Sequence, residues 1–226
     1  MLTTRYGLVA FDLDGTLVAH DEPIWKTLHE GCGSDLVRRR AVLRAARAGE
    51  IDYAEWFAAD VDMLRSAGVT REAVLEIVGG LAPTLGAREL VQDLQRAGAR
   101  VIVISGGIGL VVDTVFPTLP FDAVHINRLR FDESGALVGG RPTPYDMAHK
   151  VAGLRESAAE SGVEMADTAF VGDGPNDIDV AAVAGLSVAW GDADPGLIAV
   201  SDVHVQGRHL DALRPLLFER GSGAPA

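Results

Sequence analysis

Cysteine, membrane-length apolar runs and paired histidines are all lacking in this sequence. Among its 226 residues there is one cysteine, Cys32, so no internal disulfide can form. The six histidines show no paired spacing, which argues against a zinc site. No apolar run approaches the roughly 20 residues of a membrane helix, and the first residues lack a signal-peptide layout. These absences predict a cytoplasmic protein that neither crosses a membrane nor depends on disulfides.

Positive charge is also scarce, because 20 Lys and Arg residues face 32 Asp and Glu residues and leave a net charge of -12. Such a chain repels polyanions overall, so nucleic acid is not an expected partner. Lysine is the rarer of the two basic residues, and Lys26 and Lys150 are its only occurrences. Apolar residues, by contrast, make up 48% of the chain, which is enough for a sizeable core.

Short apolar runs alternate with helical patterns along much of the chain. Runs at residues 6–11, 100–104 and 168–171 predict buried strands, and 186–190 and 203–205 are weaker candidates. Helical patterns lie between them, at residues 87–97, 146–161 and 177–184. Because strand and helix alternate, we predict an α/β fold with a doubly wound parallel sheet.

Two segments depart from this alternation. Residues 19–81 contain no convincing strand and predict a helical insertion, in which Asp52 would cap a helix. Residues 123–140 predict short strands around a turn at 133–135. We therefore expect three parts: a core of residues 1–18 and 82–220, a helical unit of residues 19–81, and a disordered tail at 221–226.

Asp12 and Asp14 follow the first predicted strand, within the sequence Asp-Leu-Asp-Gly-Thr. In an extended chain alternate side chains share a face, so both carboxylates can enter one pocket beyond the strand. Two close carboxylates repel each other unless a proton or a cation intervenes, and Mg²⁺ is the natural mediator. The alternative is a turn with solvated acids.

Ser105 and Gly106 follow the second predicted strand, where a hydroxyl and free backbone N–H groups can hold phosphate oxygens. The alternative is an ordinary strand-to-helix turn. Lys150 lies in a helical pattern and could neutralise a phosphate together with the carboxylates, although most lysines lie at the surface. The scarcity of lysine in this chain strengthens the functional interpretation.

The sequence Gly-Asp-Gly-Pro-Asn-Asp at 172–177 follows the third predicted strand and opens a helix. Asp173 could reach the same cation as Asp12, and Asp177 could orient Lys150 or a metal-bound water from behind. The alternative is an acidic N-cap with a proline-containing helix start. The joint occurrence of these motifs is more specific than any one of them.

In these motifs the chain resembles the haloacid dehalogenase superfamily, whose four motifs read here as residues 12–16, Ser105, Lys150 and 172–177. The resemblance implies a Rossmann-like core, Mg²⁺ and an aspartyl-phosphate intermediate. The insertion at 19–81 resembles the small α-helical cap of the phosphoserine phosphatase-like group within that superfamily.

The resemblance also implies roles for individual residues. Asp12 would be the nucleophile, and Asp14 would protonate the leaving group and then activate water. Ser105 and Gly106 would hold the phosphoryl oxygens, and Lys150 would offset their charge. The metal ligands would be Asp12, Asp14 through its backbone carbonyl, and Asp173, and the supporting residues would be Thr16, Asn176 and Asp177.

The chain departs from the pattern of that group where the substrate would bind. The group usually has a glutamate soon after the first motif, for the substrate amine, and here Asp21 or Glu22 must take that place. Its substrate-carboxylate arginine has no clear counterpart, since the arginines at 38–40 would splay around a solvated helix face. Gly15 also stands where that group commonly has serine.

We expect Mg²⁺-dependent hydrolysis of a small phosphate monoester, with phosphoserine or a related metabolite as the substrate. Asp14 favours phosphoryl transfer, because the dehalogenases that named the superfamily lack this second aspartate. A phosphotransferase that uses an acceptor hydroxyl and a non-catalytic phosphate-binding protein are the alternatives. The expected partner is a small phosphorylated metabolite, not nucleic acid or a membrane, and the expected state is a monomer or homodimer.

Overall fold

The structure is a computed structural model that describes residues 2–20, 22–146 and 149–219. Within these residues seven strands form one sheet. They are β1 (Leu8–Phe11), β2 (Arg100–Ile108), β3 (Ala123–Phe131), β4 (Leu137–Arg141), β5 (Thr168–Gly172), β6 (Leu186–Trp190) and β7 (Val203–Val205). The order across the sheet is β4-β3-β2-β1-β5-β6-β7, and all neighbours are parallel except the β3–β4 hairpin.

Ten α-helices accompany the sheet in the described part of the chain. They are α1 (Ile24–Gly31), α2 (Leu36–Arg47), α3 (Tyr53–Ser66), α4 (Arg71–Gly79), α5 (Ala87–Arg96), α6 (Gly109–Val115), α7 (Lys150–Ser161), α8 (Ile178–Ala181), α9 (Pro195–Val200) and α10 (Arg214–Leu217). None of the described helices has the length and apolarity needed to cross a membrane. The architecture confirms the predicted α/β fold with a mostly parallel sheet.

β1 lies at the centre of the sheet, and all four of its residues are apolar and buried. It pairs in parallel with β2 on one side and with β5 on the other, so that Phe11 lies opposite Val103 and Val171. Such continuous apolar strands are typical of parallel sheets that are covered on both faces. The residues that follow these three strands therefore emerge at one edge of the sheet, where ligands bind in folds of this kind.

The segment between β1 and α5 is helical, as predicted, and contains α1 to α4. Asp52 caps α3 as expected: its side chain accepts a hydrogen bond from the Glu55 N–H at 2.8 Å, and Glu55 accepts one from the Asp52 N–H at 2.9 Å. The predicted hairpin around residues 133–135 is also confirmed. The division of the chain into a core and a separate unit at 19–81 stays a prediction.

Two predicted strand boundaries were wrong. β1 begins at Leu8 and not at residue 6, and the Gly7 N–H just before it donates to the carbonyl of Asp167, in the turn before β5. β2 runs on to Ile108, with a shift in its register against β3 after residue 104. Ser105 and Gly106 therefore lie within the irregular end of β2, whereas the sequence pattern predicts that they follow the strand.

Two predicted helix boundaries were also wrong. α7 begins at Lys150 and not at residue 146, because Asp146 turns into the protein and is 6% exposed. α8 covers only Ile178–Ala181, because the preceding residues, Pro175–Asp177, form a 3₁₀ turn. The predicted tail at 221–226 lies outside the described residues, as does the candidate site residue Asp21.

A buried polar cluster joins the first three helices. His29 Nδ1 lies 2.5 Å from Ser34 Oγ, and His29 Nε2 lies 3.3 Å from Asp60 Oδ1. Arg39 Nε lies 3.8 Å from the same Asp60 oxygen, which is an ion-pair distance but too long for a hydrogen bond. Because Asp60 is only 3% exposed, its carboxylate depends on these neighbours and not on water for its stabilisation.

Replacement of Asp60 by alanine should lower the free energy of unfolding by about 3 kcal/mol, because it removes the buried carboxylate that faces His29 and Arg39 at ion-pair distance. Asp62 provides a matched control on the same helix, since its ion pairs with Arg38 and Arg65 are exposed. Asp62→Ala should cost less than about 1 kcal/mol. Urea unfolding of both variants, followed by circular dichroism, measures the difference. Equal small losses of unfolding free energy would show that the buried cluster contributes no more than the exposed ion pairs.

Candidate active site

Asp12 directly follows β1 and is 6% exposed. Its backbone N–H donates to the carbonyl of Val171 at 2.9 Å, which fixes the residue against β5. The buried Oδ1 of Asp12 makes no hydrogen bond in the described part of the chain. The Lys150 ammonium lies 3.0 Å from this oxygen, as an ion pair without hydrogen-bond geometry. A carboxylate oxygen held in this way keeps lone pairs available for another atom.

Lys150 begins α7 and is completely buried between two carboxylates. Besides the Asp12 contact, its Nζ donates to Asp177 Oδ1 at 2.6 Å. Burial alone would lower the pKa of Lys150, but Asp12 and Asp177, with a smaller contribution from Asp146, raise it above its usual range. The side chain therefore keeps its positive charge. Its burial matches the functional interpretation of this lysine and not the surface one.

Asp177 is held by bonds to both of its oxygens. Oδ1 accepts from Lys150, and Oδ2 accepts from the N–H groups of Asp173 and Gly174, each at 3.0 Å. Asp173 in turn accepts a hydrogen bond from the Thr16 hydroxyl at 2.7 Å. Thr16 thus bonds to Asp173 and Asp177 bonds to Lys150, and the supporting role expected of both residues stays a prediction.

The carboxylates at this edge of the sheet fit a divalent cation. Oxygens of Asp12, Asp173 and Asp177 lie within 4.8 Å of one another. Desolvation and the charge of Asp12 raise the pKa of Asp173, so the ionised cluster is unfavourable without a counter-charge. A hard cation with oxygen ligands, such as Mg²⁺, supplies that charge. Because both Asp177 oxygens are already bonded, Asp12 and Asp173 are better placed to bind the ion, and the ligand role of the Asp14 carbonyl stays a prediction.

Gly15 allows the Asp173 carboxylate to reach the first motif. Gly15 has a φ of 81°, a conformation that favours glycine, and a Cβ at this position would lie 2.2 Å from Asp173 Oδ2. Any larger residue would push the carboxylate away from the cluster. The sequence showed Gly15 only as a departure from a family pattern, and the structure gives the physical reason for it.

Asp14 points towards the helical segment and not into the cation cluster. Its Oδ2 accepts a hydrogen bond from the Ile24 N–H at the start of α1, at 3.1 Å, and its buried Oδ1 makes none among the described residues. Burial raises the pKa of Asp14 to about 7. The Ile24 hydrogen bond lowers this pKa, and the charge of Asp12 raises it. A carboxyl group with such a pKa can both give and take a proton near neutral pH.

Ser105 brings a hydroxyl to the same place. It is 2% exposed, and its Oγ accepts a hydrogen bond from the Gly107 N–H at 3.0 Å. Since a hydroxyl has one proton to donate, this arrangement leaves that proton for a ligand. A Cβ on Gly107 would lie 3.3 Å from Asp14 Oδ2, so the irregular end of β2 directly adjoins the first motif.

Asp146 is a site residue that the sequence pattern does not indicate, because the pattern there predicts only the start of a helix. Its Oδ1 accepts a hydrogen bond from Asn176 Nδ2 at 3.2 Å, which places Asn176 beside it. A Cβ on Gly106 would fall 2.2 Å from Asp146 Oδ2, so the carboxylate lies directly against the end of β2. The only signal available in the sequence was its nearness to Lys150.

Glu22, one of the two acids proposed for a substrate amine, points towards solvent. Its side chain is 52% exposed and forms an ion pair with Lys26 at 2.8 Å. The other proposed acid, Asp21, lies outside the described residues. The structure therefore brings together the carboxylates of the first and fourth motifs, Ser105 and Lys150, but does not add Glu22 to them.

Comparison with known proteins gives a consistent result. The haloacid dehalogenase-like hydrolase family matches residues 6–185. Phosphoserine phosphatase SerB2 of Mycobacterium tuberculosis is 34% identical over 211 residues, which are 93% of this chain and 50% of that protein. Phosphoserine phosphatase of Lactococcus lactis is 32% identical over 206 residues, 90% of this chain and 92% of the relative. A solved phospho-aspartyl intermediate analogue of phosphoserine phosphatase matches with a TM-score of 0.75 at 28% identity, and the match covers 92% of this chain and 97% of the other.

The chain belongs to the haloacid dehalogenase-like hydrolase family. Within it the chain is phosphoserine phosphatase-like, because curated relatives and solved structures alike carry that name. The family inferred from the four motifs and the group inferred from the helical insertion are thereby confirmed. The chain spans about half the length of the Mycobacterium relative and of a similar one from Streptomyces coelicolor.

Replacement of Asp173 by asparagine should weaken Mg²⁺ binding at least about 10-fold, because it removes a charged oxygen ligand. Asp179, an exposed acid in the following helix, provides the control, and Asp179→Asn should bind Mg²⁺ as the wild type does. Isothermal titration calorimetry with MgCl₂ measures both affinities. Unchanged binding by Asp173→Asn would mean that the cation lies elsewhere.

Proposed function

We propose that this chain hydrolyses a small phosphate monoester with Mg²⁺, through a phosphoryl group carried on Asp12. The observation that most directly supports this proposal is the state of the Asp12 carboxylate. It lies at a strand end, and its buried Oδ1 makes no hydrogen bond among the described residues. Beside it lie the Lys150 ammonium and a carboxylate cluster that can hold a cation. Membership of the hydrolase family supports the same function.

The reaction has two steps, and Asp14 moves a proton in each. In the first step an Asp12 oxygen bonds to phosphorus while the bond to the leaving alcohol breaks, and Asp14 gives its proton to the leaving oxygen. In the second step Asp14 takes a proton from water, the water oxygen bonds to phosphorus, and the bond to Asp12 breaks to release inorganic phosphate. Asp14 Oδ1, which makes no hydrogen bond to the described residues, is suited to this exchange.

Positive charge and hydrogen-bond donors hold the phosphoryl group for this attack. Lys150 balances the charge of Asp12, and the Ser105 hydroxyl and Gly106 N–H bind phosphoryl oxygens. Asp12 and Asp173, with the Asp14 carbonyl, would hold Mg²⁺, which lowers the repulsion between the carboxylate and the phosphate when it is bound.

The helices of residues 19–81 contact the site directly, which supports their assignment as a cap over a core of 1–18 and 82–220. The Ile24 N–H bonds to Asp14, and Trp25 Nε1 donates to the Gly106 carbonyl at 2.8 Å.

Phosphoserine is the first candidate substrate, because relatives that match most of this chain are named for it. The surface position of Glu22 makes a panel of esters necessary. A cytoplasmic location and a monomeric or dimeric state stay predictions.

Asp12→Asn should abolish phosphate release from every ester that the wild type hydrolyses, because an amide oxygen cannot form the covalent intermediate. The assay measures inorganic phosphate from phosphoserine and other small esters, with Mg²⁺ and with EDTA. Asp113→Asn serves as the control, since Asp113 is exposed and pairs with Arg128 at the surface. Release that survives Asp12→Asn would refute the proposed nucleophile.

The two lysines offer a second matched pair. Lys150→Met should lower the turnover number about 100-fold or more, because it removes the buried charge beside the nucleophile. Lys26→Met should leave turnover unchanged, since that ammonium is exposed and pairs with Glu22. Equal effects of the two changes on turnover, in variants with unaltered circular dichroism spectra, would contradict the role given to Lys150.

A further inference from the structure

Asn127 on β3 is a completely buried side-chain amide that adjoins the irregular end of β2. Its Nδ2 donates to the carbonyl of Gly106 at 2.6 Å and to that of Gly107 at 3.0 Å. Its Oδ1 accepts from the Thr143 N–H at 2.8 Å, and the Tyr53 hydroxyl oxygen lies 2.7 Å from Nδ2 and 3.0 Å from Oδ1. The two hydrogens of the amide group thus face three acceptors, and its oxygen has a donor in the Thr143 N–H.

The partners fix which way the amide faces. The two glycine carbonyls can only accept hydrogen bonds, and the Thr143 N–H can only donate one. A rotated amide would place Oδ1 against both carbonyls and Nδ2 against an N–H group. Asn127 therefore has one favourable orientation. In it the amide donates hydrogen bonds to the carbonyls of two successive residues, Gly106 and Gly107.

Holding a carbonyl also aims the N–H group on the other side of the same peptide bond, because the peptide unit is planar. The Gly106 carbonyl shares its peptide with the Gly107 N–H, and that N–H donates to Ser105 Oγ. By holding the Gly106 carbonyl, Asn127 sets the direction of the bond that orients the Ser105 hydroxyl. Trp25 Nε1 donates to the same carbonyl from α1.

The Tyr53 hydroxyl extends this network to α3. Burial, with the nearby charge of Asp146, raises the pKa of Tyr53 above its usual range, so the phenol stays protonated and its oxygen can accept a hydrogen bond from Asn127 Nδ2 at 2.7 Å. Tyr53 lies at the start of α3 in the helical segment, whereas Asn127 lies in the sheet. The hydrogen bond between them joins that segment to the phosphate-binding end of β2.

We propose that Asn127 is a positioning residue that sets the peptide units of the segment at 105–107, and that Tyr53 ties this setting to α3. The inference rests on the proposed function, in that this segment binds the phosphoryl group. Asn127 does not contact the carboxylates that would hold the cation through any of its described bonds. Phosphate binding and Mg²⁺ binding should therefore respond differently to its replacement.

Asn127→Asp is the sharpest variant, because it keeps the shape of the side chain and replaces the donor with an oxygen. Its affinity for inorganic phosphate, measured by calorimetry in saturating Mg²⁺, should fall on the order of 10- to 100-fold, since two carbonyls lose their donor. Its affinity for Mg²⁺ should stay within about 2-fold of the wild type. Tyr53→Phe removes only one hydroxyl and should weaken phosphate binding about 3-fold.

Ser187→Ala provides the control for the loss of a buried hydrogen bond. Ser187 lies near the start of β6, towards the opposite edge of the sheet, and its hydroxyl bonds to Asp202. This variant should lose stability but bind phosphate as the wild type does. Phosphate affinity that falls equally in Ser187→Ala and Asn127→Asp would reduce Asn127 to a purely structural role.

The remaining outcomes separate this inference from the proposed function. If the wild type binds phosphate and a folded Asn127→Asp variant binds it with the same affinity, the positioning role is overturned and the proposed function stays intact. A wild-type protein that binds Mg²⁺ but no phosphate would overturn the proposed function and this inference with it. If Asn127→Asp does not fold, Tyr53→Phe decides, because unchanged phosphate affinity in that variant would refute the link to α3 and the network that depends on it.

Discussion

The buried ammonium of Lys150 lies between the carboxylates of Asp12 and Asp177, and the site depends on this balance of charge. Taking carboxylates out of water is costly unless they find an opposite charge or hydrogen-bond donors. Here Asp177 receives both, from Lys150 and from two backbone N–H groups. Among the described residues, Asp12 Oδ1 has the ion pair with Lys150 and no hydrogen bond, which leaves this oxygen available to another atom.

The strand order explains how residues so distant in sequence share this charge balance. β1 is central and pairs with β2 and β5, so the residues that follow these three strands come together at one edge. Small side chains then permit the close contacts that the balance requires. Gly15 admits the Asp173 carboxylate, and Gly106 admits that of Asp146. The sheet thus sets the position of the site, and the two glycines allow its carboxylates to lie close to the backbone.

The parts of the site that sequence could predict are those that follow apolar strands. Asp12, Asp14 and Asp173 each come directly after such a run, and the parallel arrangement of the runs implies that they meet. The same logic reached Ser105, although β2 continues past it, because glycines allow an irregular extension that no apolar pattern announces. Lys150 stood out through its rarity and through the family motif.

The parts that sequence could not predict depend on contacts between distant segments. Asn127 lies in a strand that reads only as half of a hairpin, and its partners Tyr53 and Gly106 are separated from it by many residues. Asp146 lies in a turn that resembled a helix start, so its side chain had no predicted direction. Glu22 was assigned from a family pattern, and its pairing with Lys26 became visible only in three dimensions.

The most direct test of the account is to look for the phosphoryl group on the protein itself. The enzyme would be mixed with a radiolabelled ester that it turns over, quenched in acid, and digested for mass spectrometry. We expect label on the peptide that contains Asp12, and hydroxylamine should release this label, as it does from acyl phosphates. Asp12→Asn should carry no label. Steady turnover with no labelled peptide, or with label on another residue, would contradict it.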